Sequence, residues 1–212
     1  MDAIARMLDF NRQWAADRKA HDPEFFVRHA DGQRPSVLLI GCSDSRVPIT
    51  NITGADPGEM FVYRNIANQM HGVDLGAQSV LAYAVDALDV QHILVTGHTN
   101  CGGVAAAMAE PDHGIVDHWL ANVRLLYLRY RTQMEALPDD RARLAQLVRL
   151  NVVLQIYQLT LNPTVRDAWR QGRRLILHGM VYDIATGLLD SVVGGVDGLP
   201  SAQEKLAEFR PD

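Results

Sequence analysis

The sequence has few cysteines, no long apolar run and no excess of positive charge, and each lack excludes a class of protein. No uninterrupted apolar run is long enough to cross a bilayer, so a membrane protein is not expected. The formal net charge of -5 argues against a general nucleic-acid binder, which needs a basic surface. No glycine-rich dinucleotide motif or P-loop lysine follows a predicted strand, which disfavours a nucleotide-binding domain.

The amino-terminal residues also lack the apolar core of a secretory signal. Asp2 and Asp9 interrupt this stretch, so the sequence predicts a cytoplasmic protein in a reducing compartment. There are two cysteines, Cys42 and Cys101. In a reducing compartment a disulfide is the weaker interpretation, and metal binding or catalysis is the stronger one.

The length and composition are those of one globular domain. A chain of 212 residues with 48% hydrophobic content can bury a single sizeable core, and we find no internal repeat, low-complexity tract or linker. We therefore predict one domain over residues 1–212. Its parts are an amino-terminal helical arm at 1–30, an α/β core at 31–193 and a carboxyl-terminal tail at 194–212.

Residues 1 to about 20 have the pattern of an amphipathic helix. An apolar stripe can form from a spaced set of side chains: Ile4, Met7, Leu8, Phe10 and Trp14. Such a helix packs either on its own domain or, as an arm, on a neighbouring subunit. The periodicity alone leaves both interpretations open.

Two short apolar runs end in glycine and are followed by metal-type ligands. Residues 36–41 read SVLLIG and lead into Cys42, while the run at 93–95 leads through Gly97 to His98 and Cys101. Continuous apolar runs of this kind are typical of strands covered on both faces in a parallel sheet. Neighbouring strands lie roughly 5 Å apart, so the three ligands can converge if these strands are neighbours.

The intervening and following segments predict an α/β fold. A third apolar run at 60–63 and a helix at 74–88 lead back to the strand at 93, which makes a βαβ crossover. Helices are predicted at 115–133, 141–161 and 164–171, and strands at 174–183 and 188–193 form a hairpin. We expect a mostly parallel central sheet flanked by helices, with an antiparallel edge strand.

Two thiolates and one imidazole suit zinc, with Zn–S near ~2.3 Å and Zn–N near ~2.0–2.1 Å. Calcium and magnesium prefer oxygen ligands. Because only Cys42, His98 and Cys101 are strong candidates, a fourth position is left for water, which is the catalytic arrangement. Each residue alone also fits a bland interpretation as a buried core side chain, but their matched positions after two strands favour zinc.

Asp44 and Arg46 lie close to Cys42 and can form an ion pair. Asp44 could accept a hydrogen bond from zinc-bound water, or it could bind zinc as a fourth ligand and close the site. The alternative is a solvated salt bridge in a loop, which the nearby Cys42 disfavours.

Several long motifs closely resemble those of the β-class carbonic anhydrases. Residues 42–48 read CSDSRVP, 57–68 read PGEMFVYRNIAN, 97–103 read GHTNCGG and 178–183 read HGMVYD. The motifs are specific, and they extend over nearly the whole chain. The resemblance implies a zinc enzyme that interconverts carbon dioxide and bicarbonate, with homodimers or homotetramers as its assembly. It also implies that the amino-terminal helices wrap a partner subunit.

The resemblance also implies residue roles. It makes Cys42, His98 and Cys101 the zinc ligands, with Asp44 as a possible fourth, and Asp44 with Arg46 the catalytic dyad. The substrate positions it implies are Gln33, which hydrogen-bonds the substrate across the dimer interface, the backbone N–H of Gly102 and three pocket residues: Phe61, Ile66 and Tyr83.

The chain departs from part of the family pattern. Some members have a regulatory bicarbonate site built from a Trp, an Arg and a Tyr. Arg64 and Tyr182 match two of these positions, but Leu39 stands where the Trp would be. This difference favours a zinc ion that is open to water.

Two other functions remain as alternatives. The same scaffold could act on a related substrate such as carbon disulfide, which the motifs would hardly reveal. A non-catalytic zinc-binding homologue is the other, and the intact Asp44–Arg46 pair argues against it.

Overall fold

A computed structural model describes residues 2–207 of the chain. The chain divides into two compact units, one within residues 1–34 and one within residues 35–212. The predicted boundaries at residues 30 and 193 stay predictions.

The first unit is a pair of helices held by aromatic contacts. Helix α1 spans Ala3–His21 and helix α2 spans Phe25–Ala30, so the helix predicted at the amino terminus is present. Trp14 meets Phe26 edge to face, with ring centroids 5.7 Å apart. The apolar stripe of α1 is left largely exposed, and Phe10 has 71% of its surface accessible.

The second unit is built on a five-stranded sheet in the order β2-β1-β3-β4-β5. The strands are Val37–Cys42 (β1), Met60–Asn65 (β2), His92–His98 (β3), Ile176–Asp183 (β4) and Leu188–Val196 (β5). The first four pair in parallel, and β5 pairs antiparallel with β4. The predicted α/β class and the antiparallel edge strand are therefore confirmed.

Helices surround this sheet and connect its strands. They are Ile49–Thr53 (α3), Leu75–Ala82 (α4), Gly102–Met108 (α5), Ile115–Trp119 (α6), Ala121–Arg129 (α7), Arg131–Glu135 (α8), Asp140–Leu161 (α9), Pro163–Arg170 (α10) and Leu199–Lys205 (α11), with a 3-10 turn at Ile66–Asn68 and a π-helical turn at Tyr83–Ala87. The main core lies between the sheet and the helices, with α9 packed against β3, β4 and β5.

Both ligand-bearing strands run beyond the glycines that we expected to end them. Cys42 pairs with Asn65 of β2, and His98 pairs with Tyr182 of β4. The two ligands are therefore the last residues of β1 and β3 rather than loop residues, because each still has a strand neighbour that fixes its backbone.

The long helix predicted at 115–133 is wrong in its continuity. The chain forms α6, α7 and α8 instead, with breaks at Leu120 and Tyr130. At the first break, Nε2 of His71 donates a hydrogen bond of 2.9 Å to the carbonyl of Trp119, which takes that group out of the helical pattern. Apolar periodicity continues across such a break, so the sequence pattern did not reveal it.

The described part of the predicted tail, residues 194–207, contains regular secondary structure. Strand β5 continues to Val196, and α11 then packs against β5 and α9. Across residues 2–207 no helix combines the length and apolarity that a membrane span needs.

Helix α9 approaches the sheet closely where two strands carry glycine. A Cβ atom at Gly179 would lie 2.7 Å from Cγ1 of Val152, and one at Gly97 would lie 2.8 Å from Cγ2 of the same valine. Both distances are shorter than a van der Waals contact, so only glycine fits without a shift of the helix.

We expect Gly179→Ala to destabilise the protein by about 1–3 kcal/mol, because the added methyl group overpacks the contact with α9. Gly72→Ala is the matched control, since a Cβ atom there meets nothing within 4 Å. Urea unfolding of both variants measures the difference, and equal stability of the two would contradict the close approach.

Candidate metal centre

Three metal-type side chains converge at the carboxyl ends of β1 and β3. Sγ of Cys42, Sγ of Cys101 and a ring nitrogen of His98 all lie within 4.8 Å of one another. The three residues are buried, with exposed fractions of 6%, 1% and 0% respectively. The parallel pairing of β1 with β3 brings them together across the intervening residues, as the sequence predicts.

Cys42 is surrounded by hydrogen-bond donors that suit a thiolate. The backbone N–H groups of Asp44 and Ala67 both lower the pKa of this thiol, because they stabilise its charged form. Arg64 holds the backbone that follows the Cys42 side chain, because its Nε donates to the Cys42 carbonyl at 2.7 Å and its Nη2 to the Asp44 carbonyl at 2.6 Å. The chain is thereby fixed from Cys42 to Asp44.

The hydrogen bonds of His98 define which ring nitrogen can bind a metal. Nδ1 lies 2.9 Å from the carbonyl of Thr99, which can only accept, so Nδ1 carries the proton. Nε2 is buried without a hydrogen-bond partner. A buried ring nitrogen with a free lone pair beside two sulfurs fits a metal ion, because a metal would satisfy it.

The two cysteines behave as a coupled pair. Their sulfur atoms are 3.9 Å apart and both thiols are free. The hydrogen bond from Cys101 lowers the pKa of Cys42 far below that of an ordinary thiol, and the same contact raises the pKa of Cys101. The pair therefore loses its first proton more readily than its second.

Burial alone would lower the pKa of His98, but the Cys42 thiolate beside the ring outweighs burial and raises it. The site thus accumulates negative charge around its one imidazole. A divalent cation would neutralise that charge, which again matches the donor set.

Arg46 binds the carboxylate of Asp44 through two hydrogen bonds, close to the three metal-type side chains. Its Nε donates to Oδ1 at 2.9 Å and its Nη2 donates to Oδ2 at 2.6 Å. The side-chain hydrogen bonds from Arg46 hold the pKa of Asp44 well below its usual range. Oδ2 lies 3.7 Å from Nε2 of His98, so the ionised carboxylate faces the candidate metal position.

Two of the three predicted apolar pocket residues, Phe61 on β2 and Tyr83, contact each other. The rings of Phe61 and Tyr83 are in tilted contact, with centroids 5.7 Å apart. Tyr83 and Ile66 are exposed by 51% and 41%. Trp119 supports Ile66 by donating from Nε1 to its carbonyl at 2.8 Å.

The structure gives fewer contacts for the other two predicted substrate-binding residues, Gly102 and Gln33. Gly102 is the first residue of α5, where its backbone N–H has no partner within the helix. Gln33 belongs to the first unit and is exposed. The roles of the predicted site residues, including Asp44 as a metal ligand, stay predictions.

The structure adds supporting residues that the sequence pattern did not single out. Thr99, next to His98, donates from Oγ1 to Asp183 at 3.1 Å, which ties the metal loop to the end of β4. Ala67 has a left-handed backbone, with φ 60° and ψ 30°. Nothing in an alanine indicates this conformation, and no sequence pattern would have found it.

Leu39, which replaces the Trp of the regulatory pattern, is completely buried in β1. It packs in a small core cluster with Ile49 and Leu94. The position is filled by an ordinary core contact.

The chain is similar over most of its length to proteins of known family. A family model described as carbonic anhydrase matches residues 37–189, more than half of the chain. A carbonic anhydrase of Emericella nidulans is 45% identical over 201 residues, which covers 95% of this chain and 88% of that protein. One of Pseudomonas aeruginosa is 39% identical, with 91% and 87% covered.

Solved structures agree with this family. The β-carbonic anhydrase of Coccomyxa, crystallised with acetazolamide, superposes with a TM-score of 0.92 at 33% identity and covers 99% of this chain and 96% of that one. One of two tetrameric β-carbonic anhydrases from Sordaria macrospora superposes at 0.87 with 38% identity, over 90% and 97% of the two chains. The resemblance found in the motifs is therefore confirmed by whole-chain similarity and by the fold. This chain belongs to the carbonic anhydrase family, and within it to the β class.

Proposed function

We propose that the chain hydrates carbon dioxide reversibly with a zinc ion held by Cys42, His98 and Cys101. The observation that carries this proposal is the buried cluster of two sulfurs and one unpartnered imidazole nitrogen. When bound, zinc supplies Lewis acidity and brings the pKa of a water molecule to roughly 7, which makes a nucleophile available at neutral pH.

The Asp44–Arg46 pair orients that nucleophile. Asp44 is ionised and held by two Arg46 nitrogens, so it can accept a hydrogen bond and direct the remaining lone pair toward the substrate. A carboxylate held by a bidentate arginine keeps a fixed direction. The side chain of Asp44 is only 16% exposed, which limits competing contacts with water.

Phe61, Ile66 and Tyr83 receive carbon dioxide, with the N–H of Gly102 as a hydrogen-bond donor to bicarbonate and Gln33 of a second copy of the chain as another donor across the dimer interface. Carbon dioxide is small and uncharged, so an apolar wall suits it. The contact of Phe61 with Tyr83 and the exposed face of Ile66 support this assignment.

The protein assembles as a homodimer or homotetramer through α1. The support is the apolar stripe of that helix, of which Ile4, Met7 and Phe10 are each more than half exposed. The Sordaria macrospora relatives are described as tetrameric.

The free thiols of the metal centre also need reducing surroundings, which supports a cytoplasmic location.

Cys42→Ser should remove both bound zinc and hydration activity, because a serine hydroxyl cannot replace the thiolate ligand. Zinc content by mass spectrometry and stopped-flow hydration check the two losses. Ser43→Ala, an exposed neighbour, is the control and should keep both. Normal hydration by a zinc-free Cys42→Ser protein would refute the mechanism.

Arg46→Ala should lower kcat/KM for hydration by about 10²-fold while zinc stays bound, since misplaced catalytic groups lose about that factor. Removing Arg46 lets the pKa of Asp44 rise toward its ordinary value near ~3.9, which is still far below 7. Asp44 therefore stays ionised, and the loss reports orientation rather than charge.

Arg131→Ala is the matched control for Arg46→Ala, because Arg131 also pairs with a carboxylate, that of Glu135 at 2.8 Å, away from the site. Stopped-flow hydration at neutral pH compares the two. Equal activity in both variants would show that the Asp44–Arg46 pair has no part in turnover.

Replacing Met7 and Phe10 with Glu should give a smaller assembly, because two charges then interrupt the apolar stripe of α1. Light scattering coupled to size-exclusion chromatography measures the mass. Gln13→Glu, a charge added on the polar side of the helix, should leave the mass unchanged. An unchanged mass in the double variant would exclude this stripe as the contact.

A further inference from the structure

The turn Ile66–Asn68 adopts a conformation that its residues do not favour. Ala67 has φ 60° and Asn68 has φ 50°, so two successive non-glycine residues lie in the left-handed region. A Cβ atom makes that region unfavourable, most clearly for alanine, which has no polar side chain to compensate. Such a turn persists only when its surroundings hold it in place.

This turn contacts the metal centre on two sides. The turn begins directly after Asn65, which pairs with Cys42 in the sheet, and the backbone N–H of Ala67 lowers the pKa of the Cys42 thiol. On the other side, a Cβ atom at Gly103 would lie 2.7 Å from Cγ2 of Ile66 and 3.2 Å from Cβ of Ala67. The turn is therefore packed between one cysteine ligand and the helix that begins directly after the other.

Three buried amide side chains hold the turn from behind. Nδ2 of Asn151 donates to the carbonyl of Ala67 at 3.0 Å, and Nε2 of Gln69 donates to the same carbonyl at 2.6 Å. Gln155 completes the cluster, because its Nε2 donates to Oδ1 of Asn151 at 2.9 Å and its Oε1 accepts from the N–H of Met70 at 2.8 Å. The three side chains are at most 1% exposed.

Two of the three amide side chains, Asn151 and Gln69, donate hydrogen bonds to one backbone group, the Ala67 carbonyl. Burying amides on α9 is unfavourable unless each finds partners, and an apolar side chain would pack there without that requirement. Both donors converge on the Ala67 carbonyl. Fixing that carbonyl fixes ψ of Ala67 and thereby the direction in which its N–H points, since only two torsions separate the two groups.

We propose that Asn151, with Gln69 and Gln155, is a positioning residue for the metal ligand Cys42, acting through the left-handed turn at Ala67. The proposal rests on the proposed function in that zinc binds at Cys42. Asn151 touches neither the metal position nor the substrate pocket, so its effect is on the geometry of the thiolate. Outer residues that orient a ligand typically change metal affinity by about 10–100-fold when removed.

The test is Asn151→Leu, which keeps the approximate shape and removes the hydrogen bonds. We expect the zinc dissociation constant, measured by competition with a chelator of known affinity, to rise about tenfold or more. In the cobalt-loaded protein the thiolate-to-metal charge-transfer band should shift, because the turn beside Cys42 loses one of the amides that hold the Ala67 carbonyl. Thermal unfolding confirms that the variant is folded.

Ile156→Ala is the matched control, since Ile156 is a fully buried residue of the same helix that packs toward Gly179. It should lower stability without changing zinc affinity or the cobalt band. An equal rise in the zinc dissociation constant in both variants, or no rise in Asn151→Leu, would overturn the proposal. If Asn151→Leu does not fold, the smaller change Asn151→Ser carries the same test.

A second variant tests the route through Ala67. Because glycine accepts the left-handed region freely, adding Ala67→Gly to Asn151→Leu should restore most of the zinc affinity. Failure to restore it would exclude the turn as the intermediary. Zinc binding needs no turnover, so a wild-type protein that binds zinc tightly and does not hydrate carbon dioxide would refute only the proposed function.

Discussion

The parallel pairing of β1 with β3 is the constraint on which the metal centre depends. Parallel neighbours end at the same edge of a sheet, so Cys42 and His98 reach one place although they are far apart in sequence. Cys101 follows at once, where the chain turns into α5. A slip of one residue between these strands would turn one ligand to the opposite face, because side chains alternate along a strand.

The electrostatics of the centre follow from burying two thiols and an imidazole together. Backbone N–H groups from Asp44 and Ala67 stabilise the Cys42 thiolate before any metal arrives. The proton on Nδ1 of His98 is fixed by the carbonyl of Thr99, which leaves Nε2 directed inward. The scaffold thus arranges donor atoms that suit a zinc-type cation, and two hydrogen bonds from Arg46 hold the Asp44 carboxylate beside them.

The sequence predicted the strands and ligands that can be recognised from a few neighbouring residues. Apolar runs before Cys42 and His98 placed both ligands at strand ends, and the hairpin at the sheet edge was visible from Ala185-Thr186-Gly187. The break at Leu120 could not be predicted, because it involves a distant partner, His71, that binds the neighbouring Trp119 carbonyl. The left-handed backbone of Ala67 could not be predicted either, because one of the amides that bind its carbonyl, Asn151, is far away in the sequence. The other, Gln69, follows two residues later. The assignment of Gln33 still rests on the family resemblance alone.

One side chain of α9 sits between glycines on two neighbouring strands. The two methyl groups of Val152 occupy the space that a Cβ atom would need at Gly97 and at Gly179. A side chain at Gly97 or Gly179 would need a smaller residue than valine at position 152, and a residue bulkier than valine at 152 would find no room, because glycine cannot become smaller. Over evolutionary time these positions can therefore drift only as a set, and an alignment should record them as a covarying triplet.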